Sequence, residues 1–209
     1  MAKLALATSK GGAGKTATVR SLAAALEAMG LRVLVLDADK NQNALAWVEK
    51  RQQTQETTIQ GKAVDGPNAV PKIRTTCDVV IVDTAGVEEG ISAKLTAWAD
   101  LFIVPTLNDE DSANEALDTY EMLRDYDAQA RILRIYDARE KAENADIDEL
   151  LTAENAPVFA TVLRKTSAIK KLAKNGQAPT DIKTRSFFGR SEGDDARSDL
   201  AALIKEIGI

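Results

Sequence analysis

The chain has 209 residues, 44% apolar and 28% charged, with 27 basic against 32 acidic side chains and a net charge of −5. That is the composition of one ordinary globular domain with a sizeable core, and it excludes a uniformly basic nucleic-acid coat. The sequence has no histidine and one cysteine, which removes His general bases, Ser–His triads, His-ligated metals, intramolecular disulfides and CxxC metal knuckles.

Met1-Ala2-Lys3 runs straight into the apolar Leu4-Ala5-Leu6-Ala7, without the longer apolar core and cleavage site of a secretory signal. No stretch approaches the ~18 uninterrupted apolar residues of a membrane-spanning helix, so a cytoplasmic protein is expected. A glycine-rich turn follows the first run. Then comes a helical pattern with Val19, Leu22, Ala23, Leu26 and Met29 on one face, closed by Gly30. Val33–Leu36 is a second apolar run, ending in Asp37. Gln52–Pro71 is the least periodic region and reads as a surface excursion. Cys77 enters the third run, Val79–Val82, and reads as a core residue; that run ends in Asp83. Leu101–Val104 repeats the theme before Pro105, and Arg131–Tyr136 and Val158–Val162 are weaker strand candidates. Leu200, Leu203, Ile204 and Ile207 fall at i, i+3, i+4 and i+7, the stripe of an amphipathic helix.

Continuous apolar strands separated by helices predict a mostly parallel sheet covered on both faces. Residues 1–209 are therefore expected to form a single doubly wound α/β domain, its ligands bound beyond the carboxyl ends of the strands.

The segment between the first strand and the first helix is Ser9-Lys10-Gly11-Gly12-Ala13-Gly14-Lys15-Thr16. Glycines let successive backbone amides turn inward onto phosphate oxygens, and the following helix adds its free N–H groups and positive dipole end. Lys15 is placed to reach the β- and γ-phosphates, and the Thr16 hydroxyl to take a position on Mg²⁺. The strict G-x-x-x-x-G-K-[ST] pattern is not met. Ser9 stands where the first glycine belongs, and a second lysine, Lys10, precedes the glycine pair.

Lys10 to Thr16 resembles the deviant Walker A box of the ParA/MinD group of P-loop ATPases. Three further stretches are similar to that group's landmarks in order: Val35-Leu36-Asp37-Ala38-Asp39, Val80-Ile81-Val82-Asp83-Thr84, and Ala99-Asp100 through Val104-Pro105-Thr106. Two departures stand out: Lys40-Asn41 replaces the usual Pro-Gln after Asp39, and Ala85-Gly86 follows Thr84 without the common proline.

The resemblance implies a P-loop NTPase fold and an ATP site made by Lys10, Gly11, Gly12, Ala13, Gly14, Lys15, Thr16 and Ala17. Lys15 would hold the phosphates, while Lys10 would reach the partner's phosphates across an ATP-dependent homodimer. Thr16 would bind Mg²⁺ directly and Asp83 through water. Asp37 matches a position near the metal's water shell, and Asp39 the one that orients the attacking water. The plainer reading of either is a cap on the next helix. With no histidine, transition-state charge falls to Lys10, Lys15 and the loop amides, so hydrolysis should be slow, as in a timer or switch.

Charge is unevenly spread. Between Val162 and Arg190 there are eight basic residues and one acid; between Asn108 and Asp127 there are eight acids and one base. The basic band is the footprint of phosphate-backbone contact. Arg164, Lys165, Lys170, Lys171 and Lys174 are its candidate contacts, and small ParA proteins bind nonspecific double-stranded DNA through a similarly placed region. The alternative is a solvated helix face. A ParB-like or other adaptor that stimulates hydrolysis would complete a nucleoid-associated partition machine; accessory ATPases of DNA transfer use the same switch. A MinD-like membrane switch needs a basic amphipathic C-terminal helix with bulky apolar residues, and Asp199–Ile207 has neither aromatics nor a basic surplus, so no membrane contact is expected. The acidic helix reads as a solvated face or a partner-contacting one.

Overall fold

A computed structural model describes residues 1–9, 11–86, 91–165, 169–182 and 192–209. Seven strands form one sheet in the order β3-β2-β4-β1-β5-β6-β7, and every pairing is parallel. The strands are β1 Ala2–Leu6, β2 Val33–Asp37, β3 Gln60–Ala63, β4 Val79–Asp83, β5 Leu101–Thr106, β6 Ala130–Tyr136 and β7 Leu163–Arg164. The α-helices are α1 Lys15–Ala28, α2 Asn43–Thr54, α3 Ala93–Trp98, α4 Glu110–Asp125, α5 Lys141–Ala153, α6 Ile169–Lys174 and α7 Glu192–Ile207. The expected architecture is the one observed.

Alternate side chains of each central strand enter opposite layers, as the period of two requires. Leu4, Leu6, Val33, Val35, Ile81 and Ile103 join the layer that holds Val19, Leu22, Trp47, Leu200 and Leu203. Ala5, Leu34, Leu36, Val80, Val82, Phe102 and Val104 join the other, with Leu95, Ala116, Leu123 and Ile147. Cys77 is buried in that second layer. Burial on both faces explains why these strands read as unbroken apolar runs.

Three local expectations are corrected. Gln52–Pro71 is more than an excursion: it carries the end of α2, edge strand β3 and a 3₁₀ turn at Pro67–Lys72. β3 has no apolar signature because an edge strand needs none on its outer side. Val158–Val162 makes one isolated bridge, from Val158 to Ile132, and the last strand is the two-residue β7 beyond it. Met29 does not continue the buried face of α1. It is the helix's C-cap and is 56% exposed, immediately before Gly30 turns the chain with φ +86°.

A buried ion cluster fastens the periphery. Arg51 of α2 pairs with Glu27 of α1 at 2.9 Å and with Asp181 at 2.7 Å, donates to the Gly176 carbonyl at 3.1 Å, and lies over the Trp47 ring. The segment that contains α6 is thereby held to the two helices flanking the phosphate loop.

Candidate functional site

The described residues of the glycine loop gather with Lys15, Thr16, Asp37, Asp39 and Asp83 where β1, β2 and β4 end. The Gly12 and Gly14 φ angles are +92° and +98°, values that only glycine adopts at little cost. Space closes Gly14 as well, since a Cβ there would lie 2.7 Å from Cδ1 of Ile135. Gly14 is the N-cap of α1 and supplies no side-chain cap, so the first N–H groups of a 14-residue helix face outward at its positive end.

Lys15 Nζ folds back and donates to the Thr8 carbonyl at 2.9 Å. Burial lowers the pKa of its ammonium, and the charges of Asp83, Asp39 and Glu115 oppose that shift. The loop is braced from outside by α4: Ser9 Oγ donates to Glu115 Oε2 at 2.9 Å, and the Ser9 N–H to Thr119 Oγ1 at 3.3 Å. Lys10 lies outside the described residues.

Asp83 closes β4, and its register partners are Asp37 on β2 and Leu6 on β1. Its side chain is buried, and neither carboxylate oxygen has a hydrogen-bond partner among the described residues. Burial pushes its pKa up to about 7, with Asp37 and Asp39 adding to the rise and the neighbouring Thr16 hydroxyl and Lys15 ammonium opposing it. An orphaned carboxylate next to a hydroxyl is a costly arrangement that a cation relieves. No group of three His, Cys, Asp or Glu among the described residues is set to hold a metal. The Asp83 carboxylate with the Thr16 hydroxyl beside it is a donor pair that suits Mg²⁺, which binds one or two protein oxygens and keeps the rest of its shell for phosphate and water.

Asp37 does something else. Its Oδ2 accepts from Ala44 N and Leu45 N at 2.8 and 2.9 Å, and its Oδ1 from Asp39 N at 3.0 Å. Of the two readings open to it, the helix cap is the one observed. Asp39 is part-exposed at the start of the β2–α2 loop, where its Oδ1 accepts from Asn41 N at 2.8 Å. A cavity of about 620 Å³ opens beside it, lined also by Gln42, Val64, Asp65 and Ala85.

A second cavity, of about 280 Å³ and mostly apolar, lies against the other side of the phosphate loop. Gly12, Ala17 and Ser21 form one wall, Ile135 and Leu163 the floor, and Leu200 of α7 the far side. The walls of this cavity are up to 188 positions apart in the chain, from Gly12 to Leu200, and the closing of α7 over α1 joins them.

The basic band is corrected in part. Arg164 is ion-paired to Asp195 at 2.7 Å and to Asp199 at 3.0 Å, and it lines the apolar cavity. It is exposed, with its guanidinium engaged by these two carboxylates. Lys165, Lys171 and Lys174 are exposed; the Lys170 side chain and residues 183–190 lie outside the described residues. The signal missed was the acidic run of α7, whose Asp195 and Asp199 bring carboxylates to a guanidinium that a count along the chain leaves unopposed. No helix among the described residues is long and apolar enough to cross a membrane.

Residues 4–180 match the CobQ/CobB/MinD/ParA nucleotide binding domain family. The chain belongs to this family. Its relatives include "Protein virC1" of Rhizobium radiobacter, 30% identical over 190 residues that cover 87% of this chain and 71% of that protein. Among solved structures, MinD cell division protein of Aquifex aeolicus superposes with a TM-score of 0.77 at 15% identity, covering 100% of this chain and 98% of that one. The septum site-determining protein MinD of Pyrococcus horikoshii, complexed with Mg-ADP, gives 0.70 at 14% identity, covering 99% and 96%. At such identities the likeness is one of fold: an α/β P-loop nucleotide-binding domain.

Proposed function

We propose that this chain is a slow Mg²⁺-dependent ATPase whose ATP-bound form dimerises, binds nonspecific double-stranded DNA, and drives partition of a plasmid or other DNA cargo with an adaptor protein. The observation that carries the nucleotide chemistry is the buried, unpartnered Asp83 beside Thr16 at the mouth of a glycine loop. In this reading the outward N–H groups of α1 and Lys15 hold the phosphates, and the base enters the apolar cavity against Ala17 and Leu163. Thr16 and Asp83 hold Mg²⁺, which draws charge from the phosphates and fixes their orientation when bound. Asp39, part-exposed beside an open cavity, is the carboxylate placed to orient water. Lys10 serves the partner's phosphates, so hydrolysis would open the dimer.

The DNA half of the reading rests on Lys165, Lys170, Lys171 and Lys174. Phosphate contacts of this kind release counterions, so binding should be salt-sensitive and blind to sequence, and a protein so bound is cytoplasmic and nucleoid-associated. An accessory ATPase of DNA transfer is the second reading: Lys40-Asn41 replaces the usual Pro-Gln after Asp39.

The test is binding to nonspecific duplex DNA with ATP and Mg²⁺, with ADP, and without nucleotide, at two salt concentrations. ATP-dependent, salt-sensitive binding is expected; no binding in any state would sink the DNA-carried switch. Lys10→Ala should keep nucleotide binding yet lose the ATP-dependent dimer on size-exclusion chromatography.

A further inference from the structure

Arg20 is absent from every role assigned above, yet its guanidinium sits among the site's charges. It follows Thr16 by four residues on α1, so the two share one face of the helix, a turn apart. The side chain is half-buried, and Nη2 donates to the carbonyl of Asn43 at 2.5 Å. Its Nε is buried with no partner. Burial lowers the pKa of the guanidinium, while Asp83 and Asp37, both close enough to act on it, hold the charge in place.

Asn43 is the first residue of α2. The start of that helix is therefore gripped twice: Asp37 accepts its N–H groups from Ala44 and Leu45, and Arg20 donates to a carbonyl one residue earlier. Between Asp37 and Asn43 runs the loop that carries Asp39. Its turn is tight, with Gln42 N donating to Asp39 O at 3.0 Å and Gln42 itself at φ +49°. A non-glycine residue in that region stores strain and holds only where its surroundings fix it. Asp37 anchors the loop to β2, whereas Arg20 anchors it to α1, the helix that carries Lys15 and Thr16.

We propose that Arg20 is a positioning residue for hydrolysis, setting the Asp39 loop against the phosphate-binding helix through the Asn43 carbonyl. The proposal rests on the ATPase reading above. The grip acts on the Asn43 backbone and not on the glycine loop, so its removal should spare binding and slow the chemical step; a misplacement of about 1 Å at a reacting group costs on the order of a hundredfold in rate.

The test compares wild type with Arg20→Met, which keeps much of the packing, and Arg20→Lys, which keeps the charge. Two readouts are needed. The first is amide hydrogen exchange of the nucleotide-free protein, which reports local opening without activity. Arg20→Met should speed exchange at Asn41, Gln42, Ala44 and Leu45 by about tenfold or more while α1 and α4 stay protected; Arg20→Lys should restore part of that protection. The second is steady-state ATP hydrolysis with fluorescent-ADP affinity. Arg20→Met should lower kcat by about tenfold to a hundredfold with ADP affinity within about twofold of wild type. Unchanged exchange at the four amides overturns the proposal, as does loss of protection across the whole chain, which would make Arg20 a general structural residue. Local exchange that responds while wild type hydrolyses no ATP would overturn the hydrolase reading and the catalytic part of this proposal with it.

Discussion

Asp83→Asn should stabilise the metal-free protein at alkaline pH and abolish its response to magnesium nucleotide. Burial holds the Asp83 carboxyl at about 7 against an ordinary value of 3.8. The folded chain therefore binds this proton more tightly than the unfolded chain. By linkage, the group's contribution to stability is full below the unfolded value, declines as pH rises between the two, and is lost above the folded value. A rise of about 3 pH units corresponds to roughly 4 kcal/mol of destabilisation above pH 7. The amide left by the substitution still needs partners in a buried place, which takes back about 1–3 kcal/mol. The net gain at pH 8 is then about 1–3 kcal/mol, or several degrees in Tm for a chain of this size. Urea or thermal unfolding in EDTA at pH 5 and pH 8 measures it. The advantage of the variant should be clear at pH 8 and shrink at pH 5. Adding Mg²⁺ and ADP should reverse the order, because wild type gains about 2.7 kcal/mol at a hundredfold excess over Kd and the variant does not. An equal difference at both pH values, or a variant that is less stable at pH 8, would refute the assignment of Asp83 as a buried and uncompensated carboxylate.

Gly14→Ala should cost about 1–2 kcal/mol from its φ of +98°, with the end of the Ile135 side chain turning away from the new methyl, and calorimetric titration should find nucleotide binding weakened. Arg51→Met should lower stability by about 2–4 kcal/mol in urea unfolding, because it strands Glu27 and Asp181. Lys171→Glu with Lys174→Glu should flatten the salt dependence of DNA binding in a filter or fluorescence assay while leaving ADP affinity within about twofold, since each phosphate contact contributes about one unit of slope.

The doubly wound sheet was legible because its central strands are buried on both sides. Val33–Leu36, Val79–Val82 and Leu101–Val104 had no solvent face to satisfy, so each appeared as an unbroken apolar run ended by Asp or Pro. β3 was illegible for the opposite reason: Gln60-Gly61-Lys62-Ala63 pairs on one side only, to β2, its Gln60 and Lys62 side chains are exposed, and Gly61 is held small by Leu45 and Val48 of α2. The phosphate loop, Lys15, Thr16 and Asp83 were readable because they are contiguous or end a recognisable strand. Asp37 shows the limit of that logic. A strand-end aspartate serves a metal or a helix equally well in sequence, and the choice depends on whether the next helix starts within reach of its oxygens. Here Ala44 and Leu45 do.

Arg164 and Arg20 carry the same lesson from opposite directions. Arg164 looked like a ligand-facing cation and is satisfied internally, because α7 returns along the sheet with Asp195 and Asp199 on the side that meets β7. Arg20 carries no sequence signal and lies within reach of two strand-end aspartates, Asp37 and Asp83. In both cases the deciding partners belong to other elements of the fold, so local pattern cannot supply them. A charge counted along the chain serves a ligand only where the fold leaves it facing one. Among the described residues, the candidates are Lys15 and the α1 amides within the loop, and the exposed Lys165, Lys171 and Lys174 outside it. DNA affinity carried by exposed lysines of one segment should be weak in one chain and useful when doubled, which ties the proposed DNA binding to the ATP-dependent dimer. A monomeric Lys10→Ala protein that still bound duplex DNA as tightly as the ATP-bound wild type would break that tie.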